Sequence, residues 1–227
     1  MRLVAFHTED RLYEFHAELL RRSVGRLGIT LETESIKPRD WLGAVAYKPE
    51  FLMRVRERTE GPVLYVDADA FVHADPTEAL SGTAADIGVH VRQDGEVLSG
   101  TVLVGDSEAA RELLAEWACR MRASPGVWDQ RVLQDILSEG AGGARVQHLP
   151  VEYAFIFDIG RDENPGLSPV IEHLQASREI RLKAKNRKLV RRLCGFRKRP
   201  DERLLDRRRR VSDLAAEVGM ALPRDLA

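Results

Sequence analysis

The sequence predicts an α/β fold in which a mixed, mostly parallel sheet is flanked by helices on both faces. Three observations lead there. Apolar runs of strand length alternate with segments of helical period through the first 150 residues, the pattern of parallel sheets crossed by helices. The run Val63-Leu64-Tyr65-Val66 is apolar throughout, as a strand covered on both faces must be. That run ends on Asp67-Ala68-Asp69, and open α/β sheets bind their ligands beyond the carboxyl ends of strands.

The elements follow in order. Arg2 to Thr8 reads as a first strand. Leu12, Phe15, Leu19, Leu20, Val24 and Leu27 share one helical face, and Gly28 stops that helix. Ile29 to Ile36 alternates as a half-buried strand, and Trp41 to Lys48 reads as a loop. Pro49 sits where a first helical turn tolerates it, ahead of a helix over Glu50 to Arg58. Strands are expected at 63–70, 87–91 and 97–104, with Gly95 between the last two. Ser107 caps a helix reaching Arg122, and a second helix covers Trp128 to Leu137. Short late strands are expected at 146–149 and 170–174, and a terminal helix at 211–218.

The chain has 227 residues, 44% hydrophobic and 31% charged, the profile of a soluble globular domain. The first residues lack the apolar core of a signal peptide, and no apolar run approaches a bilayer span of about 20 residues. Cys119 and Cys194 lie far apart without metal-type spacing and read as free thiols, Cys119 packed within a helix. A cytoplasmic location, in a bacterium or a phage-infected cell, is the expectation. The net charge of −1 conceals an asymmetry: residues 1–177 carry 18 basic and 29 acidic side chains, residues 178–210 carry 16 and four. The sequence thus divides into an acidic domain, 1–177, and a basic C-terminal extension, 178–227. A basic arm on an acidic body points to a polyanionic partner.

Two carboxylates two residues apart raise each other's pKa unless something positive stands between them. A hard divalent cation, Mg²⁺ or Mn²⁺, does this and takes substrate phosphates as further ligands. A solvated turn capped by Asp67 and Asp69 is the plainer alternative.

The segment VLYVDADAFVHADPTEAL resembles the metal-binding core of the nucleotide-diphospho-sugar transferases of GT-A (Rossmann-like) fold. The resemblance is to the retaining branch that includes glycogenin and the lipopolysaccharide galactosyltransferases. Five more matches fall in family order over about residues 2–180: the first strand VAFHT, the motif YKPEF, the strand LSGTVLV, the pair Asp129-Gln130, and the late segment PVIEHLQASRE. The resemblance implies Asp67, Asp69 and His173 as metal ligands. It implies Phe6, His7, Thr8, Lys48, Ala68, Ser99, Gly100, Thr101 and Ser177 around the nucleotide-sugar, a UDP-sugar by family habit. It places Asp129 and Gln130 beneath the sugar, where an amide is too weak a nucleophile but can orient the acceptor or stabilise positive charge. Arg178 stands where a diphosphate-gripping lysine is usual, because His173 runs into LQASRE instead of Gly and Lys-Pro-Trp. Ser99 replaces the usual Asn. Taken alone, His173 reads more readily as a core histidine than as a ligand, while Lys48 reads equally as a solvated lysine and Gln130 as a helix-start residue behind an Asp129 cap. Trp128 reads as core or pocket wall, and His7, His73, His90 and His148 as structural.

The implied activity is metal-dependent, retaining transfer of a sugar to a hydroxyl. The basic arm bears on the acceptor. Its sixteen cations can neutralise a phosphate backbone, so the expected acceptor is a hydroxymethylated base, such as 5-hydroxymethylcytosine, in phage DNA, extruded for reaction. The uninterrupted Arg207 to Arg210 weighs toward DNA. The amphipathic stretch with Leu189, Val190, Leu193 and Phe196 offers an anionic membrane and a surface glycan instead. A non-catalytic binding module on the same fold is the remaining alternative.

Overall fold

A computed structural model describes residues 1–38, 40–182 and 201–223. Cys194 and the amphipathic stretch around Leu189 to Phe196 lie outside the described residues. Strand β1 (Arg2–Thr8) leads into helix α1 (Arg11–Gly25), whose first turn is held by Asp10 accepting the Leu12 and Tyr13 N–H groups. Gly28 follows at φ +72°, a left-handed turn that suits glycine. Strand β2 (Leu31–Ile36) begins two residues later than the alternation suggests.

Trp41 to Lys48 is not a loop. It contains helix α2 (Trp41–Val45), capped by the Asp40 carboxylate on Gly43 N at 2.7 Å, and the first residue of α3 (Lys48–Glu57). Strands β3 (Val63–Val66) and β4 (Ala70–Val72) flank the aspartates, followed by the hairpin of β5 (Ile87–Val91) and β6 (Val97–Val104). Helices α4 (Glu108–Ala123) and α5 (Asp129–Ser138) come next. Cys119 lies on the outward side of α4 and is exposed, against the expectation that it packs. Strand β7 (Val146–His148), strand β8 (Phe155–Ile156), helix α6 (Phe157–Glu163) and strand β9 (Ile171–His173) follow. A helix α7 is described over 177–182. Helix α8 (Glu202–Glu217) starts well ahead of the expected position, capped by Asp201. Among the described residues no helix is long and apolar enough to cross a membrane.

The main sheet has the order β2-β1-β3-β6-β5-β7. Strand β1 pairs in parallel with β2 and β3, and β5 in parallel with β7, while β6 is antiparallel to both its neighbours. Five strands therefore share one direction and β6 alone opposes them. This reversal matters for the site: the start of β6 lies beside the end of β3, with Thr101 opposite Val66 and Asp67 N donating to Gly100 O at 2.8 Å. A second sheet, β4-β9-β8, sits against that edge and places His173 opposite Ala70.

Both faces of the main sheet are covered. Val63 and Tyr65 pack among Phe51, Val55 and Trp117, whereas Leu64 and Val66 pack among Leu20, Val24 and Leu103. The period of two in β3 thus sends alternate side chains to opposite helical layers. A third apolar cluster joins Phe15, Leu19, Phe71 and Leu174 to Val211, Leu214 and Ala215 of α8. The last helix is seated on the body that ends, by charge, at residue 177.

Candidate active site

A cleft of about 360 Å³ opens at the carboxyl ends of β1 and β3 and the start of β6. Phe6, His7, Thr8 and Tyr13 line it, as do Ala68 and the two aspartates, Ser177 and Arg178. Trp41 and Trp128 meet edge to face at 5.8 Å on the lip, so Trp128 is pocket wall and not core.

Asp67, Asp69 and His173 each offer one ligand atom, and these atoms lie within 4.8 Å of one another. Their orientation follows from hydrogen bonds. Asp67 Oδ1 accepts the Tyr65 hydroxyl at 2.7 Å and faces Lys48 Nζ at 3.2 Å, while Oδ2 faces Gly100 and the imidazole. Asp69 Oδ2 accepts Ala176 N–H at 2.6 Å. Burial, with repulsion from Asp67 added, pushes the Asp69 carboxyl up to about 6. The Thr101 hydroxyl has one proton, given to Tyr153 O at 2.6 Å, so it must accept from His173 Nε2 at 2.9 Å. That leaves Nδ1 with its lone pair toward the aspartates, and burial keeps the ring neutral by lowering its pKa. An imidazole oriented through its second nitrogen is the usual state of a metal-binding histidine.

The absence of a side chain at Gly100 leaves room beside these atoms. A Cβ on Gly100 would stand 2.8 Å from His173 Cε1 and 3.3 Å from Asp67 Oδ2. Two carboxylates and one imidazole suit Mn²⁺ or Mg²⁺, with coordination positions left for substrate oxygens.

The cleft lining also includes a buried polar network of Lys48, Ser99 and Asp129. Lys48 lines the cleft and is only 3% exposed, so it is not a solvated lysine. Its three protons are taken by Ser99 O at 2.9 Å, Asp129 Oδ2 at 2.8 Å and Asp67 Oδ1 at 3.2 Å. Burial opposes its charge, but Asp129 and Asp67 outweigh burial and raise its pKa. Ser99 Oγ donates to Asp129 at 2.9 Å, so both side chains face this network, and Thr101 lies behind His173 at 0% exposure. Asp129 does not cap α5 with its side chain. Gln130 lines the cleft, with Nε2 donating to Glu96 Oε1 at 2.8 Å and Oε1 accepting Ser99 N–H at 3.4 Å.

Arg178 lines the wall, with its guanidinium paired to buried Asp158 and Nε donating to Gln175 at 2.7 Å. Five N–H donors are not exhausted by two partners. His73 and His90 are structural, bonded to Glu172 and to Leu149 O, whereas His7 reaches the cleft. Sequence reasoning missed Tyr65, Glu96, Asp158 and Trp41. For Tyr65 a signal existed, since residues i and i+2 of a strand share a face and Asp67 follows it by two.

The arm residues 207–210 do not form a free basic run. Arg207 is 3% exposed and donates to Leu174 O and Glu179, Arg208 pairs with Glu179, Arg210 with Glu172, and exposed Arg209 with Asp206. Buried Leu204, Val211 and Leu214 lie on the same helix.

No curated protein sequence matches the chain significantly. Among solved structures, a glycosyltransferase involved in glycosylating the major capsid protein of PBCV-1 superposes with TM-score 0.60 at 14% identity, over 81% of this chain and 98% of that one. The galactosyltransferase LgtC, solved with donor and acceptor sugar analogues, gives 0.56 at 15% identity over 99% and 98%. GlyE of Streptococcus pneumoniae gives 0.53 at 17% identity over 76% and 54%. These likenesses are of fold, that of the GT-A glycosyltransferases. Residues 7–189 match the model of one family, and the chain belongs to it: it is a nucleotide-diphospho-sugar transferase, a glycosyltransferase.

Proposed function

We propose that this enzyme transfers a sugar from a nucleotide-diphospho-sugar, best fitted by a UDP-sugar, with retention of configuration and with help from a divalent cation. The observation that supports this reading is the meeting of Asp67, Asp69 and a correctly oriented His173 around the space left by Gly100. An ion held there supplies Lewis-acid stabilisation of the charge growing on the departing diphosphate. Phe6, His7 and Thr8 receive the base. Arg178 adds a cationic donor to the phosphates while Asp158 fixes its direction. Lys48 stays with Asp67 and Asp129 and holds β3, β6 and α5 in register around the sugar. Gln130, tethered by Glu96, presents an amide dipole to the anomeric side, where front-face attack by the acceptor hydroxyl gives retention.

For the acceptor, a hydroxyl of a glycan is the better reading. The DNA reading drew on an uninterrupted Arg207 to Arg210, and three of those four arginines are paired with Glu172 or Glu179 of the body. The Trp41–Trp128 lip suits the apolar face of a pyranose. The test combines a panel of UDP-sugars with Mn²⁺, against free saccharides and hydroxymethylated duplex DNA, read by mass spectrometry. Asp69→Asn and EDTA treatment should each abolish transfer. Full turnover in EDTA refutes the metal, and glycosylated nucleosides without glycosylated saccharide refute the acceptor.

A further inference from the structure

The segment from Glu172 to Glu179 carries the metal-binding histidine at one end and the cleft-lining Ser177 and Arg178 at the other. Between β9 and α7 it has no regular structure, and Gln175 takes φ +49°. A non-glycine residue keeps that conformation only when its surroundings impose it. Within the body, Asp69 supplies two fastenings: its carboxylate takes Ala176 N–H, and its carbonyl takes Leu174 N–H at 2.9 Å.

Helix α8 supplies the others. Arg210 makes a two-pronged pair with Glu172, Nε to Oε1 at 2.9 Å and Nη2 to Oε2 at 2.7 Å. Glu172 is 1% exposed and also meets His73 Nε2 at 2.7 Å. Arg207 Nη1 donates to Leu174 O at 2.8 Å and Nη2 to Glu179 at 3.2 Å. Arg208 grips both oxygens of Glu179, at 2.7 and 2.9 Å. Positions 207, 210, 211 and 214 share one helical face, so Arg207 and Arg210 face the body beside the apolar anchors Val211 and Leu214. Arg209, on the other side, is exposed.

We infer that helix α8 is a clasp that holds segment 172–179 in its metal- and diphosphate-binding conformation, with Arg207 and Arg210 as positioning residues. This rests on reading Asp67, Asp69 and His173 as a metal site. The basic C-terminus then acts partly on the enzyme's own catalytic wall, and undocking α8 loosens the third metal ligand together with the hydrogen bonds that this segment gives to Asp69.

The test uses the full chain as Arg210→Ala, as the charge-free pair Glu172→Gln with Arg210→Met, and as Arg209→Ala for control. Two quantities are read: hydrogen exchange of the amides 174–179 without metal, and Mn²⁺ affinity in the presence of UDP by titration calorimetry. Both clasp variants should exchange at least tenfold faster across 174–179 and bind Mn²⁺ at least tenfold more weakly, while Arg209→Ala matches the wild type. Arg210→Lys should recover part of the affinity. Folded clasp variants with unchanged exchange, or with Mn²⁺ affinity within twofold of wild type, overturn the clasp. Loss of the folded state in both clasp variants also overturns it, in favour of a helix that only stabilises the fold. A wild-type chain that binds no Mn²⁺ with UDP refutes the metal reading instead, and the exchange data then judge the clasp alone.

Discussion

Substituting Gly100 by alanine probes the proposed metal site from the side where nothing but space is removed. The added Cβ would lie 2.8 Å from His173 Cε1 and 3.0 Å from Nδ1, while ordinary contact begins at 3.4 Å. The ring must retreat by the difference, about 0.6 Å. It cannot do so freely, because Nε2 is already 2.9 Å from Thr101 Oγ1, whose own proton is held by Tyr153 O. Gly100 has no left-handed φ to lose, so the substitution acts through crowding alone. Overpacking at a confined position costs about 1–3 kcal/mol. If half of that falls on the ligand geometry, Mn²⁺ affinity drops roughly two- to twelvefold, since each ~1.4 kcal/mol is a factor of ten. The assay is calorimetric titration of Mn²⁺ with UDP present, beside Gly82→Ala, where the new Cβ meets nothing within 4 Å. Alanine at 100 with wild-type Mn²⁺ affinity and turnover would refute the ligand role of His173.

Three other outcomes are expected. Thr101→Val removes the acceptor of His173 Nε2–H and should weaken metal binding roughly 10- to 100-fold, measurable by the same titration. Lys48→Met leaves Asp67 and buried Asp129 without their cation and should destabilise the fold by about 3–5 kcal/mol, read by urea unfolding. Leu214, 0% exposed on α8, should cost about 2–5 kcal/mol as alanine, visible as a lowered midpoint in thermal melts. A melting point unchanged by that substitution would mean that α8 is not seated on α1 in solution.

Much of the frame was legible in the chain because its signals are local. The period of α1, the glycine after it, the serine cap of α4 and the all-apolar β3 each depend on neighbours within a few residues. Helix α2 was missed because its five residues carry no period long enough to see, and its cap, Asp40, is recognised only once Gly43 N is folded back upon it. The exposure of Cys119 was misjudged because a helix presents every residue to some side, and which side faces the sheet depends on packing. Lys48 was read for a choice between phosphate and solvent, yet its partners Asp67 and Asp129 come from elements far along the chain.

By itself the amino-acid order determined the layered architecture, the pair of acids at a buried strand's end and the charge imbalance between body and tail. Tertiary structure alone decided what those acids face and where the tail's charge goes. The reversed direction of β6 brings Gly100 beside Asp67, and the small sheet brings His173 opposite Ala70. The seating of α8 turns Arg207, Arg208 and Arg210 onto Glu179 and Glu172. Composition records how many charges a segment carries. Only the direction of each side chain from its helix settles whether a charge meets a partner within the fold or is left for something outside it.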